Sequence, residues 1–569
     1  MRQLDITPPP TPAPEPTDSS GPATHSRTRR FSTVGLTVGT LLFACSLTPS
    51  LLPRTAAFQG LVSGLSLSLG YALGRFGAWL WSYLELPIPN PRQRRVVMIA
   101  AAAICGTVAA AFLARATGWQ NSVRAIMGMD EASDVRPLSV ALIALLVFAV
   151  LHFVGWQLRR TVLFLTRTFK RIVPQRIGTV IGILAVGALF WMIADGIIFA
   201  VLLRATDKSF EQLDALIEDE LGQPTDPVKT GSAASLIAWQ DLGRQGRSFV
   251  SSGPTPAEIS AFHGAIAREP IRVYVGLNAA ETPRQRASLA LRELIRVGAF
   301  ERSVLLLVTP TGTGWVDPAS LNPVEYMHRG NVATVAAQYS YLPSVLALTT
   351  EAPNGAEMAR ALFQEVYGYW TRLPSASRPK LYLHGVSLGA LNSDLSFDLY
   401  DVLRDPFHGV LWVGPPFRSR SWNRITASRD PKSPVWLPRF RDGSVVRFAN
   451  QNGGLQDGSA AWGPLRIAYL QYGSDPVTFF SARSFFRKPE WLRIPRAPDV
   501  SPEMRWYPGV TMVQLAADLV AGTDAVPLGY GHNFAPRHYI DAWLALTEPA
   551  GWTGGDTRRL KALFAAYQR

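Results

Sequence analysis

The sequence predicts two architectures in series: an α-helical transmembrane domain, then an α/β domain built on a mostly parallel, doubly wound sheet. Three observations carry this expectation. Between residues 31 and 204, five apolar runs each approach the roughly 20 residues needed to cross a bilayer core of about 30 Å. From about residue 261 onward, short β-rich runs alternate with helical ones, the pattern of β-α-β units whose sheet is buried on both faces. The chain of 569 residues is 47% hydrophobic and only 17% charged, with a mean hydropathy of +0.10, so part of it belongs in lipid.

Taken in order, residues 1–30 are rich in proline and serine and show no apolar periodicity, which predicts a disordered tail. Arg27, Arg29 and Arg30 close it and abut "FSTVGLTVGTLLFACSLTPSLL". A basic stretch before an apolar one suits a signal peptide, but this run has spanning length, lacks a small-residue cleavage site and is followed by more apolar runs. A retained first span is expected, followed by spans near 56–74, 96–114, 138–158 and 177–203.

Orientation follows from the basic residues between the spans. Arg27, Arg29 and Arg30, then Arg92, Arg94 and Arg95, then Arg159, Arg160, Arg167, Lys170, Arg171 and Arg176 occupy alternate segments. The intervening segments hold Arg54 alone, or Arg115, Arg124 and Arg136 diluted by Asp130, Glu131 and Asp134. This places the N-terminus in the cytoplasm and, after five spans, the α/β domain outside it. The net charge of +14 is then largely topological, and a nucleic-acid partner is not expected. Cys45 and Cys105 sit in apolar runs, and no H-E-x-x-H or C-x-x-C occurs, so neither disulfide, metal nor cofactor is expected. Of the ionisable residues within spans, His152 reads as a helix-packing residue and Asp195 as an outer-interface one.

Residues 205–260 read as a polar connector in which Phe210, Leu213, Leu216, Ile217 and Leu221 form one stripe of an amphipathic helix. The catalytic domain, 261–569, should place strands at 271–277, 303–310, 332–341, 380–385, 409–414 and 466–473. In "LYLHGVSLGALNSD" a strand-like run passes through Gly385, Ser387 and Gly389 into a helix-like one. Here G-x-S-x-G is a nucleophile elbow, in which small neighbours let a serine occupy a strained turn above the strand ends. A serine needs a base, and the base needs a carboxylate, in the chain order serine, acid, histidine. Asp475, directly after the strand in "RIAYLQYGSDPV", is the candidate acid, with Asp457, Asp499 and Asp524 as competitors in polar loops. His532, in the glycine-rich loop "PLGYGHNFAP", is the candidate base; His538, starting a helix, and His384, within a buried strand, read as structural. For an oxyanion, the backbone N–H of Leu388 is one expected donor and Thr311 or Gly312, in "TPTGTGW", the second. That loop lacks the residues of a phosphate-binding signature.

These residues together resemble a family of membrane-anchored α/β-hydrolases found mainly in actinobacteria. "SLTPSLLPR" (46–54) and "LGRQGRSFV" (242–250) look like its N-terminal region and connector. "RVYVGL", "QYSYLPS", "HGVSLGA", "YGSDPV" and "GYGHNF" look like its hydrolase part. The resemblance implies an α/β-hydrolase fold behind a multi-span domain, with Ser387, Asp475 and His532 at the triad positions. One departure is that "VTMVQLAADLVAG", before His532, reads as helix where the general fold has a strand. The resulting expectation is a serine hydrolase of the cell envelope acting on an acyl ester of a lipid or acylated glycan. The alternatives are an acyltransferase using the same residues, or an inactive membrane scaffold or transporter-like protein.

Overall fold

The computed structural model describes residues 31–87, 90–132, 136–169, 214, 221–342, 347, 352–456, 458–521 and 526–566. The expected tail, the fifth apolar run with Asp195, and the connector helix at 210–221, save Asp214 and Leu221, lie outside these residues, as do Asp457 and Asp524.

The chain opens with four helices: α1 (Thr33–Ser46), α2 (Ala56–Tyr83), α3 (Pro91–Ile126) and α4 (Pro137–Phe169). Among the described residues α2, α3 and α4 contain stretches long and apolar enough to cross a membrane. The first expected span is corrected: α1 has 14 residues, about 21 Å at 1.5 Å per residue, which falls short of a bilayer core. It ends because Pro49 and Pro53 cannot continue a helix. The hydroxyls of Ser46 and Thr48 also turn back onto the carbonyls of Phe43 and Cys45. His152 is packed among the rings of Phe31, Tyr71 and Phe148, at centroid distances of 5.0, 5.3 and 5.7 Å.

Glycines four apart set how these helices meet, a signal that the reading of the sequence passed over. Gly35 and Gly39 of α1 face Gly70 and Gly74 of α2, while Gly60 and Gly64 of α2 face α4. A Cβ at Gly70 would lie 2.7 Å from Gly39 Cα, one at Gly74 2.6 Å from Val34 O, and one at Gly64 2.6 Å from Val147 Cβ. Between helices in lipid the hydrophobic drive is absent, so such close backbone approach supplies the attraction. The outward faces carry exposed Val97, Ile99 and Ile104 on α3 and Leu142, Leu145 and Phe153 on α4.

Seven parallel strands form the second part: β1 (Ile271–Val275), β2 (Val304–Thr309), β3 (Val332–Ala337), β4 (Lys380–Val386), β5 (Gly409–Val413), β6 (Val446–Ala449) and β7 (Arg466–Leu470). Their order is β1-β3-β2-β4-β5-β7-β6. Six occupy the expected runs; β6, in "VVRFA", was not anticipated. Near-continuous burial of each strand is what a sheet covered on both faces requires. Arg272 sits in buried β1 because its guanidinium donates to both oxygens of Glu325, at 2.8 and 2.7 Å. Helices α5 (Pro283–Arg296) and α7 (Ala352–Trp370) pack on each other, while α6 (Pro318–Met327) packs on α11 (Pro536–Thr547). The chain order reverses between β2 and β4, so the crevice at their C-terminal ends is where this architecture binds ligands.

Two predictions follow from this packing. Gly70→Leu or Gly74→Leu should lower the Tm of the detergent-solubilised protein by several degrees. Gly77→Leu, on the same helix but with nothing within 4 Å of its Cβ position, should leave it unchanged. Asp317, which caps α6 and accepts from Tyr539 Oη at 2.9 Å, has its pKa raised by burial to about 6. A carboxyl whose folded pKa exceeds its unfolded value stabilises the fold fully below the unfolded pKa and loses that contribution as pH rises through the folded one. The Tm advantage of wild type over Asp317→Asn should therefore shrink between about pH 4 and pH 6, and a constant difference would refute the assignment.

Candidate active site

Ser387 lies between the end of β4 and the start of α8 (Leu388–Asp394), with φ 56° and ψ −124°. Few non-glycine residues adopt such a backbone, and holding it costs about 1–3 kcal/mol. Its neighbours show what enforces it. A Cβ on Gly385 would lie 2.4 Å from the Gly389 carbonyl carbon, and one on Gly389 would lie 2.2 Å from Thr309 O at the end of β2. Only glycine at both positions lets helix and strands close around the turn. The Ser387 N–H donates to Val413 O at 2.8 Å, which ties the turn to the end of β5.

Asp475 follows β7 and caps the short helix α9 (Pro476–Phe479). Its fully buried carboxylate accepts from Val477 N at Oδ1, at 2.8 Å, while Oδ2 accepts from Thr478 Oγ1 at 3.1 Å and faces His532 Nδ1, 2.8 Å away. An ionised carboxylate only accepts, so Nδ1 carries the proton and Nε2 keeps its lone pair. Nε2 is buried and has no hydrogen-bond partner among the described residues. The ring rests over the end of β5, where a Cβ on Gly414 would meet His532 Cε1 at 2.6 Å. Strands lie about 4.8 Å apart, so β4 and β7 are separated by roughly 10 Å, and the imidazole occupies the gap between them. Asp475 and His532 are thus joined directly. No hydrogen bond links Ser387 Oγ to His532, although both stand at the ends of adjacent strands; such contacts often close only when substrate binds.

The other expected residues divide clearly. The Leu388 N–H opens α8 and has no acceptor within that helix. The Thr311 N–H donates to Trp315 O at 3.0 Å, within the same turn as Gly312. Gly314, at φ +86°, donates its N–H to Thr311 O at 3.0 Å and closes this loop on itself. His384 is a core residue whose Nδ1 lies 2.8 Å from Leu411 O, with burial pushing its pKa down to about 4. His538 packs against Tyr472 Oη at 2.5 Å, and burial, with nearby Arg537, lowers its pKa to about 3.

Asp499 is no rival acid but a support. It accepts from Ser474 N at 2.8 Å and Ser474 Oγ at 2.7 Å, and that hydroxyl in turn accepts from Gly531 N at 2.9 Å, one residue before His532. The reading of the sequence missed Ser474, although its place directly before Asp475 was a usable signal. Among the described residues no group of His, Cys, Asp or Glu side chains is arranged to hold a metal ion. Gly389→Ala should reduce soluble expression or abolish function, since the clash is with backbone at Thr309; the same change at Gly368, with nothing within 4 Å, should be tolerated in the same expression assay.

Comparison with known families agrees with this geometry. A family model described as "Alpha/beta-hydrolase family" matches residues 271–560, just over half of the chain, and one described as "Alpha/beta-hydrolase family N-terminus" matches residues 47–254. Neither a curated protein nor a solved structure matches. With the parallel sheet and the strained serine turn at its crevice, the chain belongs to the alpha/beta-hydrolase family and carries that family's N-terminal region ahead of the hydrolase domain.

Proposed function

We propose that the protein is a membrane-anchored serine hydrolase that cleaves an acyl ester through Ser387, His532 and Asp475. The observation that carries this reading is the pairing of a buried carboxylate with one nitrogen of His532, the other nitrogen having no hydrogen-bond partner among the described residues, in a domain whose Ser387 occupies a strained turn at the end of β4. In the reaction, Ser387 Oγ attacks the ester carbonyl carbon while His532 Nε2 takes the hydroxyl proton. The C–O bond to the leaving alcohol breaks, and His532 returns the proton to that oxygen. Water then attacks the acyl-serine, losing its proton to His532, and the fatty or acetyl acid departs as Ser387 recovers its proton. Asp475 holds the imidazole in the required tautomer and offsets the charge it gains. The oxyanion accepts from the N–H of Leu388, the first residue of α8.

Two further features support an acyl substrate at a membrane. Thr478, bonded to Asp475, lines a cleft of about 600 Å³ whose walls combine the rings of Phe417, Trp422, Phe480 and Trp491 with the charged Arg429, Arg483 and Glu490, a mixture that suits an acyl group carried on a polar head. The long apolar helices tether the domain beside lipid. The basic residues between spans favour a cytoplasmic N-terminus and an extracytoplasmic hydrolase domain, with a lipid or acylated glycan of the cell envelope as substrate.

A fluorophosphonate probe tests the chemistry: it should label the folded wild-type protein and fail on Ser387→Ala. Asp475→Asn, which allows the wrong imidazole tautomer, should cut kcat on an activated ester by about 10⁴. Labelling that survives Ser387→Ala would assign the nucleophile elsewhere. Whether water or another alcohol accepts the acyl group is read from the products.

A further inference from the structure

The segment Ser46–Arg54 has no part in the chemistry above, yet its bonding is unusually dense. It joins α1 to α2 and lies against α10 (Val510–Ala521) of the hydrolase part. Asp518 of α10 is fully buried, and its carboxylate accepts four hydrogen bonds, all from this segment. Oδ1 receives Arg54 Nε at 3.0 Å and Nη2 at 2.7 Å, while Oδ2 receives Leu51 N at 3.1 Å and the Ser50 hydroxyl. Arg54 Nη2 donates also to Gln514 O at 3.0 Å, and Gln514 Nε2 donates to the carbonyls of Ser46 and Thr48 at 3.2 and 3.0 Å. With the two side chains 1% and 0% exposed, this pair cannot be hydrated if parted. The guanidinium fork fixes angle as well as distance.

From α10 the chain passes to the loop that carries His532, and the same segment reaches that loop a second time. Gly531 has φ +57°, and a Cβ there would lie 3.0 Å from Leu52 Cδ2 and 3.0 Å from Val526 Cγ2. Its N–H is held by Ser474 Oγ, so the residue before His532 is gripped by Ser474 and flanked by Leu52 and Val526. Leu51 and Leu52 are buried in one core with Leu515, Val526 and Phe534.

We infer that the Arg54–Asp518 pair and Leu52 are positioning residues for His532: the stretch between the first two N-terminal helices forms part of the seat of the catalytic base. This rests on the role proposed above for His532. The N-terminal region is then more than an anchor, because the hydrolase domain reaches competent geometry only with residues 46–54 docked on α10.

The test uses the full-length protein in detergent, with Arg54→Lys, which keeps the charge but loses the fork, and Leu52→Ala, which leaves the ion pair intact. In both, kcat on a p-nitrophenyl ester should fall about 10- to 100-fold through misplacement of the base. KM should stay within about two-fold, since no substrate contact is removed. Amide hydrogen exchange should accelerate over residues 526–534 and stay at wild-type rates in β4 and β5. Folded variants with wild-type kcat and wild-type exchange over 526–534 would overturn the inference, and so would exchange accelerated equally throughout, which marks a purely structural role. If Arg54→Lys does not fold, Leu52→Ala decides. A wild-type protein inert to fluorophosphonate would refute the proposed function, while the exchange measurement would still judge the clamp.

Discussion

The structure depends on a backbone contact at the crevice of the sheet. Where β2 and β4 end, the carbonyl of Thr309 stands so near the first turn of α8 that position 389 has no room for a side chain, and position 385 is closed in the same way by Gly389. This compression drives the residue between them into a positive φ and lifts its side chain off the strand end. The geometry of the parallel sheet brings the following loops to the same end of the sheet as that hydroxyl. All seven strands point the same way, so the loops after β4, β5 and β7 emerge on one edge. Asp475 is two strands from Ser387, and the bare Gly414 at the end of the strand between them leaves the space that His532 fills.

Rigidity around that imidazole comes from several independent supports. Asp475 is immobilised by the donors of its own short helix, and Asp499, through Ser474, pins the amide next to His532. The segment after α1 closes the far side with Leu52. An imidazole held by one hydrogen bond alone would swing, whereas these contacts restrict both ring and backbone. Preorganisation of this kind is what proton transfer through a histidine requires.

Two kinds of physics hold the N-terminal region. Among its own helices the contacts are close, with glycines four apart admitting neighbouring backbones and a small buried set of hydrogen bonds joining Ser46 to Gln59 and Ser63. Where it meets the hydrolase domain the contacts are polar, buried and directional, with Asp518 accepting four hydrogen bonds from residues 50–54. The first kind tolerates sliding and rotation among apolar neighbours; the second specifies one register. An interface of the second kind fixes position, and it does so next to the loop that carries His532.

The sequence by itself determined the class of fold, six of the seven strand runs, the glycine-flanked turn at Ser387, and the residues Asp475 and His532 that the structure joins by a hydrogen bond, because each is written locally. Period-two and helical patterns report burial along one element, and glycine spacing reports a turn. Even the replacement of the usual strand before His532 by a helix was legible, in "VTMVQLAADLVAG". The short strand β6, the end of α1 at Ser46, the spent amide of Thr311, and the roles of Ser474, Asp499 and Gly414 were decided only by the tertiary structure. So was the partnership of Arg54 with Asp518, residues more than four hundred positions apart. Whether a donor is free, or a charge is paired, depends on what another part of the chain brings to it, and no local pattern encodes that meeting.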